Sequence, residues 1–334
     1  MTARLPLGML GVAHVHAAGY AAWLRAAGSA SLVGFVEPDD TLAAAFARAT
    51  GARRLADAAA LAAAGARAVI VAGDNAQSGP ALAGALASGL PALAEKPLGL
   101  DPDATAPLVR GFAAAGLPLA TAFPMRFAPS VTALRDAVRA GELGEVVALV
   151  GENVGRFPGL WFGDPARSGG GCLTDHVSHL ADLFGWILGR APVAVTTVPG
   201  CDLDNGTERT AGLVLDYPDG VYATIDPSWA RPESYPTWGG LSLSVVGRRG
   251  TGSARPFARR VDAWLLPPRW LRDVDDLDAA MLADFVRAVR SGGVPRATGM
   301  DGLAALRVVR AAQASLRSGR PSAVDRTGGA GEEA

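Results

Sequence analysis

The sequence predicts an α/β chain of two domains: a parallel sheet covered on both faces over residues 1–123, then a mostly antiparallel sheet with a few helices over 124–324. Three observations carry this expectation. In the first third, short apolar runs alternate with Ala-rich helical stretches, the pattern of strands buried on both faces. After about residue 124 the strand-like segments lengthen, and turn signals such as Pro218-Asp219-Gly220 separate several of them. The length of 334 residues also suits two domains.

The elements follow in order. LPLGML (5–10) reads as the first strand, with Pro6 tolerable near its start. A helix over 17–27 leads to a second strand, SLVGFVE (31–37), and to helical stretches at 41–50 and 57–64. ARAVIVAG (66–73) and LPALAEK (90–96) are the third and fourth strands, with a helix at 79–88 between them. A helix over 103–115 precedes the fifth strand, LPLATAF (117–123). In the second half a helix spans 130–140, and the strands are 145–154, 207–217, 220–229 and 241–247. Helices at 277–291 and 300–318 close the chain, and the polar, Gly-rich 325–334 reads as a disordered tail.

Composition narrows the function classes. Lys+Arg total 31 against 32 Asp+Glu, with no basic stripe, so nucleic acid is not an expected partner. Two cysteines, Cys172 and Cys201, make no disulfide framework and suit a reducing, cytoplasmic setting. No secretory signal and no bilayer-spanning run is read. One of the 31 basic residues is lysine, Lys96, and the rest are arginine. A compact ammonium with an adjustable pKa is the property arginine cannot replace.

Four segments carry chemistry. GVAHVHAAG (11–19) follows the first strand, where a glycine-rich turn and a helix N-terminus receive a dinucleotide's diphosphate. Gly11 takes the first place of G-x-G-x-x-G, Ala13 the second and His16 the third, with His14 and Val15 between them. Glu37 ends the second strand, where a carboxylate accepts from ribose hydroxyls and repels a 2′-phosphate. No basic residue stands near it in sequence, which favours NAD over NADP. Glu95-Lys96-Pro97 lies at the carboxyl end of the fourth strand, where open α/β sheets bind ligands. In GGGCLTDHVSHLADLFGWILG (169–189), Asp175 and His179 are four apart on one helical face, an imidazole beside a carboxylate.

Together these segments resemble the glucose–fructose oxidoreductase / inositol dehydrogenase (Gfo/Idh/MocA) family. The resemblance rests on Glu95-Lys96-Pro97 and on Gly169 to His179, and matching pieces include Arg126-Phe127-Ala128-Pro129 and Ser228-Trp229. It implies an N-terminal Rossmann domain and a C-terminal α+β domain with a large, open, mostly antiparallel sheet. It also implies a catalytic set of Lys96, Asp175 and His179, no metal, a sugar or polyol substrate, and a homodimer or homotetramer assembled through that sheet. Cofactor contacts are expected from Gly11, Ala13, His14, Val15, Glu37, Ala72, Asn75, Glu95 and Lys96. Substrate contacts are expected from Arg126, Asn153, Arg156, Trp161, Asp175, His176 and His179, with Phe162, Trp229, Tyr235 and Trp238 as further pocket candidates. The chain departs from the family at Ala13 and His16, which replace glycines, and at Ala72-Gly73-Asp74-Asn75 after the third strand. Two other readings stand beside this one: a metal-dependent hydrolase using His14, His16, His176 and His179, with Asp175 and Cys172 as further ligands, and a non-catalytic NAD or sugar sensor on the same fold.

Overall fold

The architecture comes from a computed structural model, which describes residues 3–203, 205–235, 237, 239–257, 261–263, 269–271 and 276–325. The expected tail beyond residue 325 and the pocket candidate Trp238 lie outside the described residues.

In chain order the elements are β1 (Leu5–Leu10), α1 (Ala17–Ala26), β2 (Ala30–Val36), α2 (Asp40–Thr50), α3 (Ala58–Ala63), β3 (Ala68–Val71), α4 (Ser78–Ala87), β4 (Ala92–Ala94), α5 (Pro102–Ala114) and β5 (Leu119–Thr121). Then follow α6 (Pro129–Arg139), β6 (Val146–Asn153), α7 (Pro165–Ser168), α8 (Cys172–Leu188), β7 (Ala194–Pro199), β8 (Ala211–Asp216), β9 (Tyr222–Asp226), β10 (Leu241–Gly247) and β11 (Thr251–Ala254). The chain closes with β12 (Val261–Ala263), β13 (Arg269–Leu271), α9 (Leu277–Ser291), α10 (Gly299–Ser318) and β14 (Ser322–Ala323).

Two compact units form. The first takes the chain up to Phe123 together with Leu160–Gly170 and Met281–Leu306. Its five strands run parallel in the order β2-β1-β3-β4-β5. Every residue of β3, β4 and β5 is buried, which is why they read as unbroken apolar runs. Helices start where the sequence supplies caps: Asp39 accepts from the Leu42 N–H at 2.9 Å, and Asp101 caps α5 ahead of Pro102. The stretch 281–306 joins this unit through Leu303 in the core and through Thr121, whose N–H and hydroxyl donate to Ala297 and Thr298 carbonyls.

The second unit comprises Pro124–Gly159, Gly171–Ala280 and the chain from Arg307 onward. Its seven-stranded sheet runs β11-β10-β6-β9-β8-β7-β14. Only the β6–β9 pair is parallel, so the sheet is mostly antiparallel. One face carries α8, whose Leu180, Leu183 and Phe184 are buried and whose His176 carbonyl accepts from the Asn153 amide of β6 at 3.2 Å. The register puts Val150, Tyr222 and Val198 on the other face, at different rows and all exposed.

Candidate active site

In the first unit the turn after β1 is held by its neighbours. Gly11 N–H donates to the Val36 carbonyl at 2.8 Å, and His14 N–H donates to Ala72 at 2.9 Å. Gly11 has φ +76°, and a Cβ there would lie 2.4 Å from the Gly73 Cα, so only glycine fits. Glu37 is buried and accepts twice from backbone, from Val12 at 2.8 Å and Asp39 at 3.0 Å. Beside it opens a cavity of about 810 Å³, lined in part by Gly11, Val36, Glu37, Arg54, Asp74 and Gln77.

Arg54 corrects a sequence expectation. No basic residue near Glu37 was anticipated, yet residue 54 runs alongside Phe35 of β2 and brings its guanidinium there. Arg54 donates to the Glu37 and Pro38 carbonyls and pairs with Asp40 at 2.6 Å. The preference for NAD over NADP read from sequence is therefore left to the Glu37 carboxylate, with the Arg54 charge matched by Asp40.

At the carboxyl end of β4, Glu95 and Lys96 are both buried. Three side chains converge on Glu95 Oε1: Tyr20 Oη at 2.5 Å, His16 Nδ1 at 2.9 Å and His14 Nδ1 at 3.3 Å. Burial alone would raise this carboxyl, but the two imidazoles and Lys96 overcome that and hold it well below the usual carboxylate range. Its stabilising contribution is present above that range and lost as pH falls through the lowered value. Tyr20, one helical turn after His16, was not anticipated from sequence; the i, i+4 spacing was the available signal.

Asn75 is buried, and its amide donates to the Ser168 carbonyl at 2.8 Å, while Arg167 pairs with Asp74 at 2.7 Å. Trp161 was expected in a substrate pocket of the second domain. It belongs instead to the first unit, buried and stacked on Phe162, with its indole N–H donating to the Ala13 carbonyl at 2.9 Å. The segment carrying it returns to the glycine turn, and local pattern cannot reveal such a return.

In the second unit α8 builds the other cluster. Its N-terminus closes tightly on the chain at Glu208: a Cβ on Gly171 would fall 2.0 Å from the Glu208 carbonyl oxygen. The Glu208 carboxylate accepts from the Gly171 N–H at 2.8 Å, and burial raises its pKa. Asp175 in the first turn accepts from the Trp229 indole at 3.0 Å and lies 3.3 Å from His176 Nε2. His176 is buried and faces the Pro227 carbonyl through Nδ1 at 2.9 Å. His179 follows one turn later and is half-buried, whereas residues 172–178 are all buried. Arg126 and Asp182 form a buried bidentate pair, at 2.6 and 2.9 Å. The Arg156 guanidinium donates to the Tyr235 carbonyl at 2.8 Å.

Among the described residues, three potential metal ligands lie within reach of one another in the first unit. His14, His16 and Glu95 cluster in the first unit, while His176 and His179 belong to the second. Burial pushes the Cys172 thiol up.

Known proteins decide between the readings. Residues 5–123 match the oxidoreductase family with an NAD-binding Rossmann fold, and residues 131–253 match the GFO/IDH/MocA C-terminal domain. The chain belongs to the GFO/IDH/MocA oxidoreductase family. Among family relatives, the rhizopine catabolism protein MocA of Rhizobium meliloti is 28% identical over 235 residues, covering 68% of each chain. Inositol 2-dehydrogenase of the same species (strain 1021) is 26% identical, covering 56% of this chain and 59% of the relative. The crystal structure of GenD2 from gentamicin A biosynthesis, in complex with NAD, superposes with a TM-score of 0.84 at 26% identity over 97% of both chains. The myo-inositol 2-dehydrogenase of Lactobacillus plantarum shares the fold, with a TM-score of 0.81 at 21% identity over 96% of this chain and all of that one. The GFO/IDH/MocA chain is thus an oxidoreductase with an NAD-binding Rossmann domain, which sets the hydrolase and sensor readings aside.

The first unit fits that cofactor. The cavity is of ligand size, roughly 300–1,000 Å³ being usual. Glu37 retains acceptor capacity beyond its two backbone donors, since a carboxylate offers about four lone-pair sites. Gly11 and Glu37 would hold the adenosine end, and Lys96 stands at the carboxyl end of β4.

Proposed function

We propose that this oxidoreductase moves hydride between NAD and a secondary alcohol or ketone of a sugar, a polyol or a derivative of one. The observation that carries the reading is the α8 pair: a carboxylate fixed by Trp229 and His176, one turn before a half-buried imidazole on the same helix. Bound NAD supplies the hydride acceptor when the alcohol is oxidised. His179 takes the hydroxyl proton, and Asp175 balances the charge the imidazole gains. Lys96 stabilises the negative charge that develops on the substrate oxygen. Asn153 and Arg156 bind substrate hydroxyls. In the reducing direction His179 returns the proton. The names of the relatives support the substrate class, since one acts in rhizopine catabolism and one on inositol.

The test is reduced-nicotinamide formation with the purified protein, NAD and a panel of inositols, aldoses and aminosugars. At least one member should turn over, and Lys96→Met should lower that rate by about 10²-fold with the fold retained. Turnover of none, or a Lys96→Met rate close to wild type, rejects the assignment.

The exposed sheet face carrying Val150, Tyr222 and Val198 fits self-association. The expected species is a homodimer or homotetramer. Sedimentation should show it, and Val150→Glu with Tyr222→Glu should dissociate it; a monomeric wild type overturns this.

A further inference from the structure

We propose that Gln77 is a second acceptor for the adenosine ribose of bound NAD: its carboxamide oxygen takes a hydrogen bond from one ribose hydroxyl, beside the Glu37 carboxylate. The inference rests on the cavity of the first unit being the site of the cofactor's adenosine end.

Gln77 lines that cavity together with Gly11 and Glu37, among apolar neighbours such as Leu10, Leu55 and Pro80. The other polar side chains on the wall already have partners. Arg54 pairs with Asp40 at 2.6 Å. Asp57 caps α3 and accepts from the Ala60 N–H at 2.8 Å. Asp74 pairs with Arg167 at 2.7 Å. Gln77 donates to Asp74 twice, from its backbone N–H to Oδ1 at 3.0 Å and from Nε2 towards Oδ2 at 3.5 Å. Among the described residues no donor reaches its Oε1. Glu37 and Gln77 are therefore the two wall side chains with acceptor capacity left for a ligand.

The Asp74 carboxylate fixes which way the carboxamide points. A carboxylate only accepts, so the amide nitrogen takes that side and the oxygen the other. Oε1 then lies against the glycine turn, 3.2 Å from where a Gly11 Cβ would stand. A Cβ on Gly73 would collide with Oε1 and crowd the Gln77 Cβ and Cδ at 3.1 and 3.2 Å. Gly73 is one of the departures from the family after β3, and its missing side chain makes room for this oxygen. Glu37 meets the same turn, since its Oε2 accepts from the Val12 N–H at 2.8 Å. Two acceptors thus border one turn, and a ribose offers two adjacent hydroxyls as donors.

The experiment is calorimetric titration of the full chain with ADP, 2′-deoxy-ADP and 3′-deoxy-ADP, with a chelator present. Wild type is compared with Gln77→Leu, which keeps the size of the side chain, and with Gln77→Ala. The side chain is half-buried, which keeps the cost to folding small. Both variants should bind ADP about five- to tenfold more weakly, the scale of one hydrogen bond. One deoxy analogue, the one lacking the hydroxyl that Gln77 accepts, should bind wild type and variants equally. The other analogue should be weakened by the substitutions as ADP is. Unchanged ADP affinity in both variants, or an equal loss on all three probes, overturns the role of Gln77 while leaving the cavity assignment intact. If wild type binds neither ADP nor NAD, the cavity assignment fails and the role of Gln77 with it.

Discussion

Replacing His179 with alanine is expected to lower turnover by about 10³-fold, within the usual contribution of a positioned proton acceptor. The expected loss is in kcat, because a proton acceptor acts in the chemical step. Its partial exposure limits the cost to folding, so the variant should unfold close to wild type. The pH profile separates a proton acceptor from a packing residue. Wild-type oxidation should rise with pH through the imidazole range, as the ring becomes able to take a proton, and the variant should lose that limb. His179→Ala turnover near the wild-type rate, on a verified substrate, removes the proposed base. Asp175→Asn offers a graded comparison: it keeps the shape that Trp229 and His176 clasp but removes the charge that steadies the imidazolium.

Arg126→Met should destabilise the second unit by about 3–5 kcal/mol, the usual result of stranding one partner of a buried ion pair. Arg126 and Asp182 side chains are 3% and 1% exposed, so Asp182 would keep its charge in the interior with its bidentate donor gone. Arg126 also lies over the Trp186 ring at 5.2 Å, with Arg135 at 4.3 Å from the same ring, and methionine forfeits that cation–π contact. The double variant Arg126→Met with Asp182→Leu should recover most of the loss, since removing both charges removes the desolvation burden. Urea unfolding of the four proteins completes the cycle. If the single variant costs under about 1 kcal/mol and instead raises KM, Arg126 binds substrate, as the sequence suggested, and its link to Asp182 is incidental.

Much of the first unit is legible because its strands are buried on both faces. LPLGML is β1 to the residue, and the strands at 66–73, 90–96 and 117–123 enclose the shorter β3, β4 and β5. In the second unit 241–247 matches β10, where alternation is clean. β7 is not legible because AVTTVP follows Pro192 closely and ends in Pro199, so its prolines read as loop. β11 and β14 are short and poor in apolar residues, so no periodicity marks them. At the site, the motifs located Lys96, Asp175 and His179 within their elements. The supporting side chains stayed hidden because they come from far along the chain: Trp229 reaches Asp175 across 54 residues, and Tyr20 reaches Glu95 across 75. Hydrogen bonds of that kind leave no local pattern.

The segment Leu160–Gly170 makes the cofactor-binding half discontinuous along the chain. Trp161 ties it to the Ala13 carbonyl, Ser168 accepts the Asn75 amide, and Arg167 neutralises Asp74. A fragment ending at Phe123 would strip all three partners from the loops at Ala13 and at Asp74-Asn75. Recombination between relatives, natural or engineered, cannot exchange this half by a single crossover; the eleven-residue excursion and the later stretch at 281–306 must travel with it. The two halves are therefore constrained to be inherited together, although each has a sheet and a core of its own.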